Sequence, residues 1–200
     1  MPVPSRRPIR LSNFDDSTPG AYFVTICTHE RECLFGDVVD EVVRLNGLGE
    51  VVQQTWDALP DHFAHVESDQ FVIMPNHVHG VVVLMDDFPG VGATHASPVV
   101  GVPGPARATH ASPLRNGPKP NSIGTIVGSF KSAVTKHINH LRLTLGHPVW
   151  QRNYYEHVIR DDRDLAAIRD YIAGNPARWL VDEHYPGGIK RTAKRRPYLT

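Results

Sequence analysis

Nowhere in its 200 residues does the chain carry an apolar run approaching the ~18 to 20 residues that a bilayer span requires. Its first ten residues, MPVPSRRPIR, lack the apolar stretch of a secretory signal. A cytoplasmic address without a membrane partner is therefore expected. Cysteine is nearly absent: Cys27 and Cys33 are the only two, and in a cytosolic chain they are expected to be reduced, small and partly buried, with no chemistry of their own. A charge of one sign is missing as well. The 21 lysines and arginines balance 21 aspartates and glutamates, so the global electrostatic footprint of a nucleic-acid binder is absent and local distribution has to decide. Basic residues gather at the two ends, as Arg6, Arg7 and Arg10, and as Lys190, Arg191, Lys194, Arg195 and Arg196. Such ends either touch phosphates or are solvated tails.

What the chain does have is 40% hydrophobic residues, enough for the core of one ordinary domain. AYFVTICT, from Ala21 to Thr28, is rich in β-branched and aromatic residues and predicts a central strand. After Asn46, Leu48, Val52, Trp56 and Leu59 line one face of a helix that Pro60 is expected to stop. Two strand-like runs, Gln70 to Met74 and His77 to Leu84, flank a Pro-Asn pair suited to a tight turn, which predicts a hairpin. Residues 86–121 then change to Gly, Pro, Ala, Ser and Thr and repeat the hexapeptide ATHASP at 93–98 and 108–113. Two polar copies cannot build a repeat architecture, so this is an inserted, disordered loop whose His95 and His110 are expected to be solvated. Ser122 is a plausible N-cap for a helix with Ile123, Val127, Phe130, Val134 and Ile138 on one face and with Lys131 and Lys136 off it. A strand is expected from Tyr154 to Arg160. A last helix follows, capped by Asp161 or Asp162, with Leu165, Ile168 and Ile172 inward and Pro176 ending it. The order strand, helix, hairpin, helix, strand, helix predicts an α+β domain: a ferredoxin-like antiparallel sheet with helices on one face. Its expected bounds are 15–185, between a basic arm at 1–14 and a basic tail at 186–200.

Side chains alternate across a strand, so His77 and His79 of the run His77-Val78-His79 project from the same face and can share one ion. Twelve histidines also make such a pair common by chance on a half-exposed strand. Val78, with Gly80 and Val82, points to the opposite, core-facing side, which leaves the histidine face as the open one. Imidazole pairs fix a site but not its metal. Among the tyrosines expected to be ordered, Tyr154 and Tyr155 are consecutive in a strand, where packing is the ordinary role. Tyr171 shares one line of the last helix with Ala167 and Asn175. That line offers a phenol and an amide oxygen toward a cation, although a surface helix tyrosine and a helix-terminal asparagine have the same spacing.

Three segments, FVIMPNHVHGVVVL, SIGTIVGSFKSAVTKHIN and VWQRNYYEHVIRDDRDLAAIRDYIAGNPARW, together resemble the IS200-like transposase family, most closely its branch of REP-associated tyrosine transposases. The resemblance spans roughly residues 15–185 apart from the insert. It implies His77 and His79 as metal ligands, Tyr171 as nucleophile and Asn175 as the third ligand side chain, where relatives often carry glutamine. It further implies a divalent ion, Mg or Mn, and single-stranded DNA with hairpins, here REP-like palindromes, as partner. Cleavage would pass through a 5′-phosphotyrosine, with the protein acting as monomer or homodimer. Lys131, Arg152, Lys194, Arg195 and Arg196 are the cations placed against the DNA backbone. His157 is either a satisfied buried histidine or a support for the site. Two other classes remain open: a metal hydrolase with a water nucleophile, and a non-catalytic nucleic-acid module with Phe23, Phe71 and Tyr155 as stacking aromatics.

Overall fold

The computed structural model describes residues 17–86, 119 and 121–187. The basic arm, nearly all of the ATHASP insert with His95 and His110, and the tail cations Lys194, Arg195 and Arg196 lie outside the described residues. No helix among the described residues is long and apolar enough to cross a membrane.

Strand β1, Gly20–Cys27, runs through the middle of a four-stranded sheet. It pairs antiparallel with β5, His77–Leu84, on one side and with β6, Tyr155–Ile159, on the other. Strand β4, Val66–Met74, forms the outer edge beside β5, joined to it by a tight turn at Pro75-Asn76. Counting only the sheet's own strands in chain order, the first and third lie in the centre and the second and fourth at the edges, which is the ferredoxin-like arrangement.

Two helices cover one face. Helix α1, Gly47–Asp57, begins where the Asn46 side chain accepts hydrogen bonds from the Leu48 and Gly49 amides. Helix α3, Ile123–Leu141, begins where the Ser122 hydroxyl accepts one from the Thr125 amide. Their apolar stripes, including Val52, Trp56, Ile126, Phe130, Val134 and Ile138, pack on Tyr22, Val24, Ile26, Val78 and Val82 of the sheet. The antiparallel α+β sheet is as expected, but its helices are not all on one side. Helix α4, Asp162–Ala173, crosses the opposite face, where Ile168 and Ile172 close over Phe23 and Val81. The reason lies in β1 and β5, which are apolar on both faces, so that a single helical layer would leave Phe23 and Val81 in water. The histidine face, expected open, is consequently buried.

Other departures are local. Pro60 sits in the first turn of a short helix α2, Leu59–His62, rather than ending α1, because proline is tolerated where an amide has no helical partner. Pro176 likewise opens a 3-10 helix, Pro176–Val181, after α4 has already ended at Ala173. A two-stranded ribbon, β2 Gly36–Val39 with β3 Val42–Leu45, was not expected at all. Its turn residues Asp40 and Glu41 have φ of 52° and 62°, a primed-turn geometry that usually announces itself as Asn-Gly.

Gly80 shows how closely the first layer fits. A Cβ there would lie 2.5 Å from two ring carbons of Trp56, which stacks on Phe71 at a ring-centroid distance of 4.1 Å. Gly80→Ala should therefore cost about 1–3 kcal/mol through overpacking, several degrees of Tm in a thermal melt.

Candidate active site

His77 and His79 project from β5 toward α4, and both are fully buried. Their Nε2 atoms face each other at 3.1 Å. Two nitrogens bound to one cation at about 2.1 Å and meeting at 90–110° would be roughly 3.0–3.4 Å apart, so the pair stands at bidentate spacing. Hydrogen bonds on the far side of each ring orient it. The Asn76 amide donates to the Arg31 carbonyl at 3.1 Å and to the His184 carbonyl at 2.7 Å, which leaves its Oδ1 as an acceptor. His77 Nδ1 donates to that oxygen at 2.9 Å, so His77 Nε2 carries the lone pair a metal needs. His79 Nδ1 shares a hydrogen bond with the Thr25 hydroxyl at 2.9 Å. Thr25 is the residue directly opposite His79 in the β1–β5 ladder, so register alone delivers this support.

Tyr171 arrives from α4. Its hydroxyl is 3.5 Å from His79 Nε2, and its ring stands edge-on to Phe23 at 6.1 Å and packs against His79 at 5.2 Å. Three devices set the helix in place. Asp161 caps it by accepting from the Asp164 amide at 2.8 Å. Asp164 pairs with His157 of β6 at 2.9 Å, which makes His157 a satisfied, mostly buried histidine that ties the strand to the helix start. Arg169, two residues before Tyr171, grips Asp69 of β4 in a two-pronged ion pair at 2.8 and 2.5 Å. The Arg169 hydrogen bonds hold the Asp69 carboxyl below the usual carboxylate range, against a smaller upward push from burial. A carboxyl whose folded value is depressed contributes stability that is present above its unfolded value, about 4, and is lost as pH falls through the folded value. Asp69→Asn should thus flatten the Tm-versus-pH curve below about pH 4 while leaving little difference in that slope near neutrality.

Asn175 lies beyond the end of α4 and opens the 3-10 helix. It is buried, 1% exposed, and its Oδ1 has no hydrogen-bond partner among the described residues. Such an orphaned acceptor costs about 1–3 kcal/mol unless something meets it, and a cation would. The segment after the 3-10 helix holds what sequence reasoning missed. The Asp182 carboxylate forms a group with His77 and His79 whose ligand atoms all lie within 4.8 Å of one another. His184 is buried, with its ring centroid 4.5 Å from that of His77, and its Nδ1 is 3.8 Å from the Cys27 sulfur. Two buried imidazoles and a carboxylate form a donor set that fits a divalent cation.

The cations expected against DNA divide. Lys131 donates to the carbonyls of Gln151 and Arg152 at 2.6 and 3.0 Å, and burial pushes its ammonium below the ordinary lysine value. It tethers the 150–152 segment and keeps one donor in reserve. Arg152 and Lys136 are exposed and line, with Lys131, a cavity of about 480 Å³. Gln151 bonds to the Cys27 carbonyl, so the cavity adjoins the end of β1 that lies opposite His77. Of the aromatics considered for base stacking, Phe23 is fully buried and Phe71 is committed to Trp56, while Tyr155 is half-buried, edge-on to Phe23.

No protein-family model matches the chain. Over 180 residues it is 39% identical to an uncharacterised protein of Haemophilus influenzae, spanning 90% of this chain and 93% of that one. Over 30 residues, 15% of this chain and 17% of the other, it is 57% identical to a second H. influenzae protein, provisionally named a REP-associated tyrosine transposase. The chain belongs to the same family as that uncharacterised H. influenzae protein. Among solved structures it is similar to a REP-associated tyrosine transposase bound to a REP hairpin, with a TM-score of 0.45 and 18% identity over 89% of this chain and 74% of that one. It is also similar to a provisionally assigned transposase from Deinococcus radiodurans, with a TM-score of 0.38 and 17% identity over 82% of this chain and 95% of the other. The resemblance read from three motifs is borne out by the H. influenzae relative provisionally named a REP-associated tyrosine transposase.

Proposed function

We propose that this chain is a metal-dependent single-strand DNA endonuclease and strand transferase that cuts and rejoins hairpin DNA through Tyr171. The observation that carries the reading is the approach of the Tyr171 hydroxyl to within 3.5 Å of His79 Nε2, above two buried imidazoles at bidentate spacing. His77 and His79, with Asn175 as a neutral oxygen donor, would hold the ion. A divalent cation there, Mg or Mn, supplies charge neutralisation of the phosphodiester oxygens that otherwise repel a nucleophile.

The chain's own residues do the rest. Tyr171 loses its phenolic proton to solvent and its oxygen attacks phosphorus. A bond forms between that oxygen and phosphorus, the bond from phosphorus to the 3′-oxygen breaks, and the departing oxygen takes up a proton. One phosphodiester is exchanged for another, so a free 3′-hydroxyl can later reverse the step onto a new end without ATP. Phe23, edge-on to the Tyr171 ring, would hold the phenol in position for attack. Arg152 and Lys136, which line the cavity beside the end of β1, would meet backbone phosphates, with REP-like palindromes as the expected partner.

A labelled hairpin oligonucleotide incubated with the protein and Mn, resolved on a denaturing gel, tests the reading. Cleavage with a protein–DNA band that survives denaturation supports it. Cleavage without that band would instead mark a water nucleophile, and binding with neither would mark a non-catalytic module.

A further inference from the structure

The third ligand implied by resemblance is a neutral amide, yet the group whose atoms sit with the two imidazoles in this chain is a carboxylate. We infer that Asp182 is the anionic ligand of the site, and that its charge strengthens the binding of hard cations such as Mg and Mn more than that of Zn. The inference deepens the metal-dependent reading above and rests on it.

Three observations place Asp182 for this role. Its carboxylate and the two histidine nitrogens all lie within 4.8 Å of one another, and ligands on opposite sides of one ion are about 4.2 Å apart, so a small swing of the side chain closes the set. Its backbone is anchored from both sides, its amide donating to the Trp179 carbonyl at 3.1 Å and its carbonyl accepting from the Tyr185 amide at 3.2 Å. The Arg31 guanidinium donates to the Glu183 carbonyl at 2.6 Å, and Asp182 Oδ1 accepts from the His184 amide at 2.6 Å. Finally, the Asn76 side chain bonds His77 Nδ1 and the His184 carbonyl at once, so one residue fixes both the ligand histidine and the segment that presents Asp182.

The chemistry follows from donor type. Two imidazoles alone favour Zn, Ni and Cu, whereas carboxylate oxygen suits Mg and Mn, and a set of two histidines and one carboxylate with open positions leaves room for a phosphate oxygen. Removing the charge should therefore weaken hard cations selectively. A residue with only a structural role would weaken all of them alike.

The test compares the wild-type chain with Asp182→Asn, which keeps an oxygen able to accept from the His184 amide. Mn binding is read by electron paramagnetic resonance of the free ion, Mg by competition with Mn, and Zn by competition with a chromophoric chelator. Thermal melts in chelator report the metal-free fold. The inference expects Mn and Mg affinity to fall about tenfold or more and Zn by less than about threefold, with an unchanged metal-free Tm. Equal affinities in the two proteins would overturn the inference and leave the proposed function standing. Equal losses for all three metals would overturn it as well, by showing a structural role. No Mn binding by the wild-type chain would overturn both.

Discussion

Replacing Tyr171 by phenylalanine should lower DNA cleavage by about 10³-fold or more and abolish the denaturation-resistant protein–DNA band. The substitution removes one oxygen from a ring that is already packed edge-on to Phe23, so the fold should be nearly unaffected. Hairpin binding and Mn affinity should stay within about twofold of wild type, since the phenol is assigned no part in either. A structural tyrosine would behave otherwise, losing stability along with activity. A water nucleophile would behave otherwise too, because cleavage would survive. The gel assay run on this variant, beside a thermal melt and a Mn titration, separates the three.

The second large effect belongs to the histidine pair. His77→Ala and His79→Ala, each made alone, should reduce cleavage by roughly 10²–10³-fold. The ion supplies several kcal/mol of charge stabilisation, and about 1.4 kcal/mol is a factor of ten. Chelation of the wild-type protein should do the same and added Mn should reverse it. The two variants differ in one respect. His77→Ala strips Asn76 Oδ1 of its buried donor, which costs about 1–3 kcal/mol, and so loosens the segment held by the His184 carbonyl. His79→Ala removes a partner of the Thr25 hydroxyl and ring contacts with Phe23 and Tyr171 but leaves the hydrogen bonds of Asn76 to the chain around it intact. Lower Tm for His77→Ala than for His79→Ala, in chelator, is the expected ordering.

Much of the frame was legible before the structure. The β-branched, apolar runs AYFVTICT and HVHGVVVL placed β1 and β5, and the stretch after Asn46, the cap Ser122 and the pair Asp161-Asp162 placed three helix starts, because these signals are local. The face on which α4 lies was not legible. Leu165, Ile168 and Ile172 mark a buried stripe, but only the burial of Phe23 on the far side of β1 says which layer that stripe joins. The β2–β3 ribbon was invisible for a different reason: Asp40 and Glu41 adopt positive φ without the glycine or asparagine that signals such a turn.

The site divides in the same way. The two histidines share a face by strand period alone, and the structure brings Tyr171 to them across 92 residues of chain. Asn76, Asp182 and His184 could not be found by pattern. Asn76 reads as a turn residue after proline. Asp182 and His184 sit in an irregular segment where no periodicity exists to be read, and their meeting with His77 depends on how the chain turns back after the 3-10 helix. The spacing of Tyr171 and Asn175 suggested one helical line, yet α4 stops at Ala173, so Asn175 reaches its buried position from the start of the next turn.

The most direct test is to find the tyrosine that carries DNA. Wild-type protein is trapped with a labelled hairpin substrate and Mn, digested with trypsin and nuclease, and sequenced by tandem mass spectrometry. A nucleotide joined through its 5′-phosphate to Tyr171 is the predicted result. Cleavage of the hairpin with the adduct on Tyr154, Tyr155 or Tyr185, or with no adduct on any tyrosine, would contradict the account.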